Sequence, residues 1–156
     1  WSRQLNKLCG NQDYLTAIAN MATQLIGQKR CPLILGERVQ MLKDLQGMIK
    51  DSICLIGETD ESTRKDVLQN VGGKYKAVLS TKLFDEGISC HRLDTLIITC
   101  PNNNPIKLEQ RIGRIIREHP DKQVPMVVDF WLSGPIVARQ QAKRLEWYKQ
   151  RGYYIL

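Results

Sequence analysis

No C-x-x-C pair occurs in this chain, and the two histidines, His91 and His119, stand alone. A zinc site therefore finds no ligand set at the usual spacing, and no metal site is expected. The five cysteines, Cys9, Cys31, Cys54, Cys90 and Cys100, are odd in number and scattered through apolar runs. That pattern suits buried free thiols in a reducing, intracellular compartment rather than a disulfide framework. No apolar run approaches 18 residues and no signal peptide opens the chain, so no membrane partner is expected. The phosphate-cradling G-x-x-x-x-G-K-[ST] loop is missing, as is a D-E-x-x strand end. No G-x-G-x-x-G follows an early strand, which disfavours a dinucleotide-binding enzyme.

What is present is ordinary for a single globular domain of 156 residues. The 23 basic and 16 acidic side chains leave a net charge of +7, which favours an anionic partner. Trp1 opens the chain inside a helix-like pattern, as expected of a segment of a longer protein. Residues 1–12 read as a possible arm, and residues 135–156 as a C-terminal helix and tail.

Leu15, Ile18, Ala19, Ala22, Leu25 and Ile26 keep the spacing of an amphipathic helix, with Asn11 or Asp13 to cap it and Gly27 to end it. Short apolar runs then alternate with helical patterns. Strands are expected at 32–35, 52–57, 76–80, 94–99 and 125–130. Helices are expected at 41–49, 61–73, 108–117 and 135–151. Near-continuous apolar strands between helices predict an α/β fold, a mostly parallel sheet covered on both faces. Ligands in such sheets bind beyond the carboxyl ends of the strands.

Two segments carry candidate chemistry. In "STKLFDEGIS", Ser80 and Thr81 offer hydroxyls at a strand end, and Glu86 and Gly87 set a carboxylate beside a flexible backbone. The alternative is an ordinary strand-to-loop junction. In "EQRIGRIIREH", helical spacing places Gln110, Arg114 and Arg117 on one stripe, with Gly113 beside them and Arg111 at the flank. Leu108, Ile112, Ile115 and Ile116 fall on the opposite side. Clustered guanidiniums repel one another unless an anion sits between them. The alternative is a solvated basic helix face.

"QRIGRIIR" resembles motif VI of superfamily 2 helicases, Q/H-R-x-G-R-x-x-R. "STKLFDEGIS" is similar to motif V, and "CPLILGERVQML" to motif IV; the order matches the family's. Within the superfamily the chain looks closest to the XPB/UvsW-like branch, which includes viral and phage members. The resemblance implies a RecA-like three-layer fold, the second such domain of an ATP-dependent nucleic-acid motor. It implies that Arg114 and Arg117 act as arginine fingers and that Gln110 lines the same cleft. Glu86, Gly87 and Arg111 would face the nucleotide. Gly36, Arg38, Ser80, Thr81 and Lys82, and more weakly Arg64, would meet the nucleic-acid backbone. Ser89 departs from the family's more frequent Asp at a position that contacts the nucleotide sugar. ATP and Mg2+ would be bound mainly by a preceding RecA-like domain, without which this segment would not hydrolyse ATP. DNA or RNA and that domain are the implied partners, the molecule a monomer, and its setting the cytoplasm or nucleus, or a host's cytoplasm if viral. A non-catalytic RecA-like binding module is the alternative.

Overall fold

A computed structural model describes residues 2–81, 90–100, 104–115, 117, 119–120 and 122–156, without the side chains of Pro105, Arg114 and Ile136. Six helices and five strands alternate through it: α1 Ser2–Cys9, α2 Gln12–Gly27, β1 Pro32–Leu35, α3 Val39–Met48, β2 Ser52–Leu55, α4 Glu61–Asn70, β3 Ala77–Ser80, β4 Thr95–Ile98, α5 Pro105–Ile115, β5 Met126–Asp129 and α6 Pro135–Gln150. The strands form one sheet in the order β2-β3-β1-β4-β5, with every pairing parallel.

Register explains the continuous apolar strands. Successive side chains alternate between the faces, and both faces are covered. Ile34, Leu79 and Ile97 pack against α1, α2 and α3 through Leu5, Leu15, Ile18, Met41 and Leu45. Leu33, Leu35, Val78, Leu96 and Ile98 pack on the other face against Val67 of α4, Leu108, Ile112 and Ile115 of α5, and Tyr148 of α6. The result is the three-layer α/β domain expected from the sequence.

Residues 2–9, read above as part of an arm, form a helix instead. Leu5 and Cys9, four apart on one side of α1, are 2% and 7% exposed and join the core. The end of α2 falls at Gly27, as expected. Gly27 stays helical and the chain turns at Lys29, whose φ of 62° is left-handed. The Arg30 N–H reaches back to the Leu25 carbonyl at 2.9 Å, which closes the helix without glycine in the turn. Asn11 is the cap at the other end; its Oδ1 accepts the Tyr14 N–H at 2.9 Å. α5 begins three residues before its expected start because Asn104 caps it, Oδ1 accepting from the N–H groups of Ile106 at 3.1 Å and Lys107 at 3.2 Å.

Leu55, Ser80, Leu35, Ile98 and Asp129 lie in one row at the carboxyl ends of the strands. The helix after β1 packs on one face and the helix after β4 on the other. The crevice between these two neighbouring strands is therefore the switch point at which open α/β sheets receive ligands.

Candidate functional site

Gly36 opens the crevice. Its N–H donates to the Ser80 carbonyl at 3.1 Å, which extends the β1–β3 pairing by one rung. A Cβ here would stand 2.8 Å from Leu42 Cδ2 and 3.5 Å from Thr99 Oγ1. Glycine is thus required by the approach of α3 to the strand end. Thr99 closes the other wall; its Oγ1 donates to the Leu35 carbonyl at 2.6 Å. The Tyr14 hydroxyl donates to the Thr99 carbonyl, also at 2.6 Å, and burial pushes that phenol well above its ordinary pKa.

Arg38, the N-cap residue of α3, stands at the mouth. Its Nε donates to Asn6 Oδ1 at 2.8 Å, Nη2 to Ser2 Oγ at 3.2 Å and Nη1 to the Glu37 carbonyl at 3.3 Å. Ser80 is fully buried, and its Oγ has no hydrogen-bond partner among the described residues. Thr81 beside it is half-buried. Arg64 donates through Nη2 to the Gly57 carbonyl at 3.2 Å, while its Nε is enclosed with no partner among the described residues. Gly36, Arg38, Ser80, Thr81 and Arg64 thus share the carboxyl edge of the sheet. Lys82, Glu86 and Gly87 lie outside the described residues, as does Ser89.

α5 runs from that edge to the opposite one. Leu108, Ile112 and Ile115 are 6%, 2% and 0% exposed, so the apolar side is seated against the sheet. Gln110 is exposed and Arg111 half-buried; Arg114 lies on the helix, its side chain outside the described residues. A Cβ on Gly113 would meet nothing within 4 Å, so no packing among the described residues requires this glycine. Arg117 follows α5 and borders a cleft of about 580 Å³ with His119, Lys122 and Gln123. Gln123 Nε2 donates to the Gln28 carbonyl at 2.8 Å and Arg30 Nη1 to the Val124 carbonyl at 2.9 Å, which places this loop where the strands begin. Two groups of candidate residues therefore occupy opposite edges, joined by the length of α5.

The tail braces α5. Arg151 is paired with Glu109 through both terminal nitrogens and lies 5.0 Å from the centre of the Trp147 ring. Trp147 stacks on Tyr153 at 6.0 Å between centroids. Trp131 and Tyr154, by contrast, are 67% and 98% exposed and do not pack the final helix. Asp129, to which the sequence assigned no chemistry, accepts from Arg144 Nε at 2.6 Å and Nη2 at 2.7 Å and from the Tyr148 hydroxyl at 3.2 Å. This locks α6 to β5. A carboxylate ending one strand and an arginine on the following helix were the only sequence signal for it.

A family model described as "Helicase conserved C-terminal domain" matches residues 16–119, most of the chain. The chain belongs to the helicase C-terminal domain family. This helicase domain is similar to "Probable helicase D10" of Escherichia phage T5, with 26% identity over 159 residues, covering 98% of this chain and 35% of the relative. "Putative helicase 22" of Sulfolobus islandicus filamentous virus is 27% identical over 120 residues, 72% of this chain and 21% of the relative. Among solved structures, T4 UvsW superposes with a TM-score of 0.78 at 17% identity, over 98% of this chain and 35% of that one. S. cerevisiae Dbp5 bound to RNA and ADP BeF3 gives 0.69 at 15% identity, over 92% of this chain and 37% of that one. These likenesses show the RecA-like fold of the helicase domain, which spans about a third of the T5 and T4 proteins or less of other relatives.

Proposed function

We propose that this domain is the second RecA-like half of an ATP-dependent nucleic-acid motor. The seating of α5 supports this most directly. Burial of Leu108, Ile112 and Ile115 fixes the rotation of the helix, which leaves Gln110 facing out and Gly113 beside open space. Arg114 and Arg117 then act as arginine fingers on the γ-phosphate. Gln110 donates its amide within the same cleft, and Arg111, Glu86 and Gly87 complete the nucleotide face.

This donor set fits phosphate oxygens. Guanidinium binds them in a charged fork at any working pH, and phosphoryl transfer depends chiefly on such positioning and charge stabilisation. Among the described residues no three His, Cys, Asp or Glu side chains gather at metal-binding spacing. By the family resemblance, Mg2+ and the bulk of ATP would be held by a preceding RecA-like domain, which would supply the phosphate loop and magnesium carboxylates. At the other edge, Gly36, Arg38, Ser80, Thr81, Lys82 and Arg64 meet the backbone of a DNA or RNA strand, without reading its sequence. Viral relatives named as helicases favour this reading.

The test is nucleic-acid-stimulated ATP turnover of the full-length protein. Arg114→Ala and Arg117→Ala should each lower turnover by roughly 10³–10⁵ while the melting temperature stays within a few degrees. Near-normal turnover in both variants sinks the finger assignment. A wild-type protein that binds strands but never turns over ATP would instead be the non-catalytic binding module.

A further inference from the structure

Arg38 is oriented by a helix outside the matched family segment. That segment starts at residue 16, whereas Asn6 and Ser2, which accept from Arg38 at 2.8 and 3.2 Å, belong to α1. Its third acceptor is the Glu37 carbonyl. All three are uncharged, so the guanidinium is aimed without being neutralised. One N–H on each terminal nitrogen remains for a further acceptor.

α1 is held by docking against the core. Leu5 and Cys9 supply the docking, both buried in the core that includes Cys100 just beyond β4. Its exposed side carries Arg3 and Lys7 with Asn6 between them and no acidic residue. Like charges four apart on a helix disfavour it slightly, and an anion beside them relieves the repulsion. The nearest acid in sequence, Glu37, makes no ion pair with Arg38 among the described residues, and the first turn of α3 contains none.

We propose that α1 is a nucleic-acid-binding element: Asn6 and Ser2 are positioning residues that aim Arg38 at a backbone phosphate, and Arg3 and Lys7 extend the positive track along the β1/β4 crevice. This rests on the reading of Arg38 as a phosphate contact. Asn6 acts through Arg38, whereas Arg3 and Lys7 touch the strand themselves.

Anisotropy titrations of the full-length protein with labelled oligothymidylate and oligouridylate, across a potassium chloride series, test it. Asn6→Ala should weaken binding about 2- to 10-fold, and that loss should vanish when Arg38 is already alanine. Asn6→Asp, which places a carboxylate against the guanidinium, should weaken it about 10-fold and lower the salt slope by about 0.7, as for one lost single-strand phosphate contact. Arg3→Ala and Lys7→Ala should each lower the slope by a similar amount. If Arg38→Ala weakens binding while both Asn6 variants and both α1 charge variants behave as wild type, the inference about α1 is wrong and the track reading stands. If Arg38→Ala itself binds normally, both fail together.

Discussion

The two glycines of the candidate site differ in what makes them glycine, and the difference is measurable. At Gly36 a methyl group would press on Leu42 Cδ2 at 2.8 Å and Cγ at 3.2 Å, and Leu42 is fully buried and cannot yield freely. Gly36→Ala should therefore cost about 1–3 kcal/mol, typical of overpacking. At Gly113 the space is open and the backbone helical, so Gly113→Ala should raise stability by about 0.5–1 kcal/mol, the usual gain of alanine over glycine inside a helix. Thermal melts of the two variants separate these outcomes; destabilisation by Gly113→Ala would mean that the glycine serves the chain's own packing.

Among the elements, α6 is tied to β5 by one largely buried ion pair. Arg144 has a side-chain exposure of 3% and clasps Asp129 with two nitrogens, while Gln141 Nε2 donates to the Phe130 carbonyl at 2.9 Å. Breaking a buried pair leaves one charge without compensation. Arg144→Met should thus cost about 3 kcal/mol, and adding Asp129→Leu should recover part of that loss. Denaturant melts of the single and double variants check it; a double variant as unstable as the sum of the singles would refute the coupling. α4 is held differently. Asp60 caps it by accepting from the Thr63 N–H at 2.8 Å, and Asp66 accepts from the Tyr75 hydroxyl at 2.7 Å and from Lys74 at 3.1 Å. These hydrogen bonds hold both carboxyls below their ordinary range, so the stability they add is present at neutral pH and lost as acid protonates them.

Across the whole molecule, β3, β1 and β4 are enclosed on both faces and on both edges, whereas β5 is only partly buried. Backbone amides in the three central strands should exchange with solvent only on global unfolding, and those of β5 and α6 earlier, through sub-global opening. Hydrogen-exchange mass spectrometry checks the order; protection of β5 equal to that of β1 would show that α6 and the tail make the edge as firm as the centre. The layered fold was legible in the sequence because it depends on period. Runs such as "PLIL" in β1 and "LII" in β4 are apolar at every position, as a strand covered on both faces requires. α1 was not legible as core. Two buried side chains among eight residues are too weak a pattern to stand out from a polar arm.

The candidate site divides in the same way. The residue types of "QRIGRIIR" and their order behind "STKLFDEGIS" were in the sequence, since a helix repeats every 3.6 residues and spacing alone assigns its faces. The sequence by itself determined the α/β class, the apolar side of α5 and the family likeness. Tertiary structure alone decided that Arg38 meets Asn6 and Ser2, that Leu42 packs where a Cβ on Gly36 would stand, and that Arg117 stands at the edge opposite the crevice. These depend on which segments, up to 36 residues apart in Arg38's case, the packed sheet brings within hydrogen-bond reach. A local period carries no record of that distance.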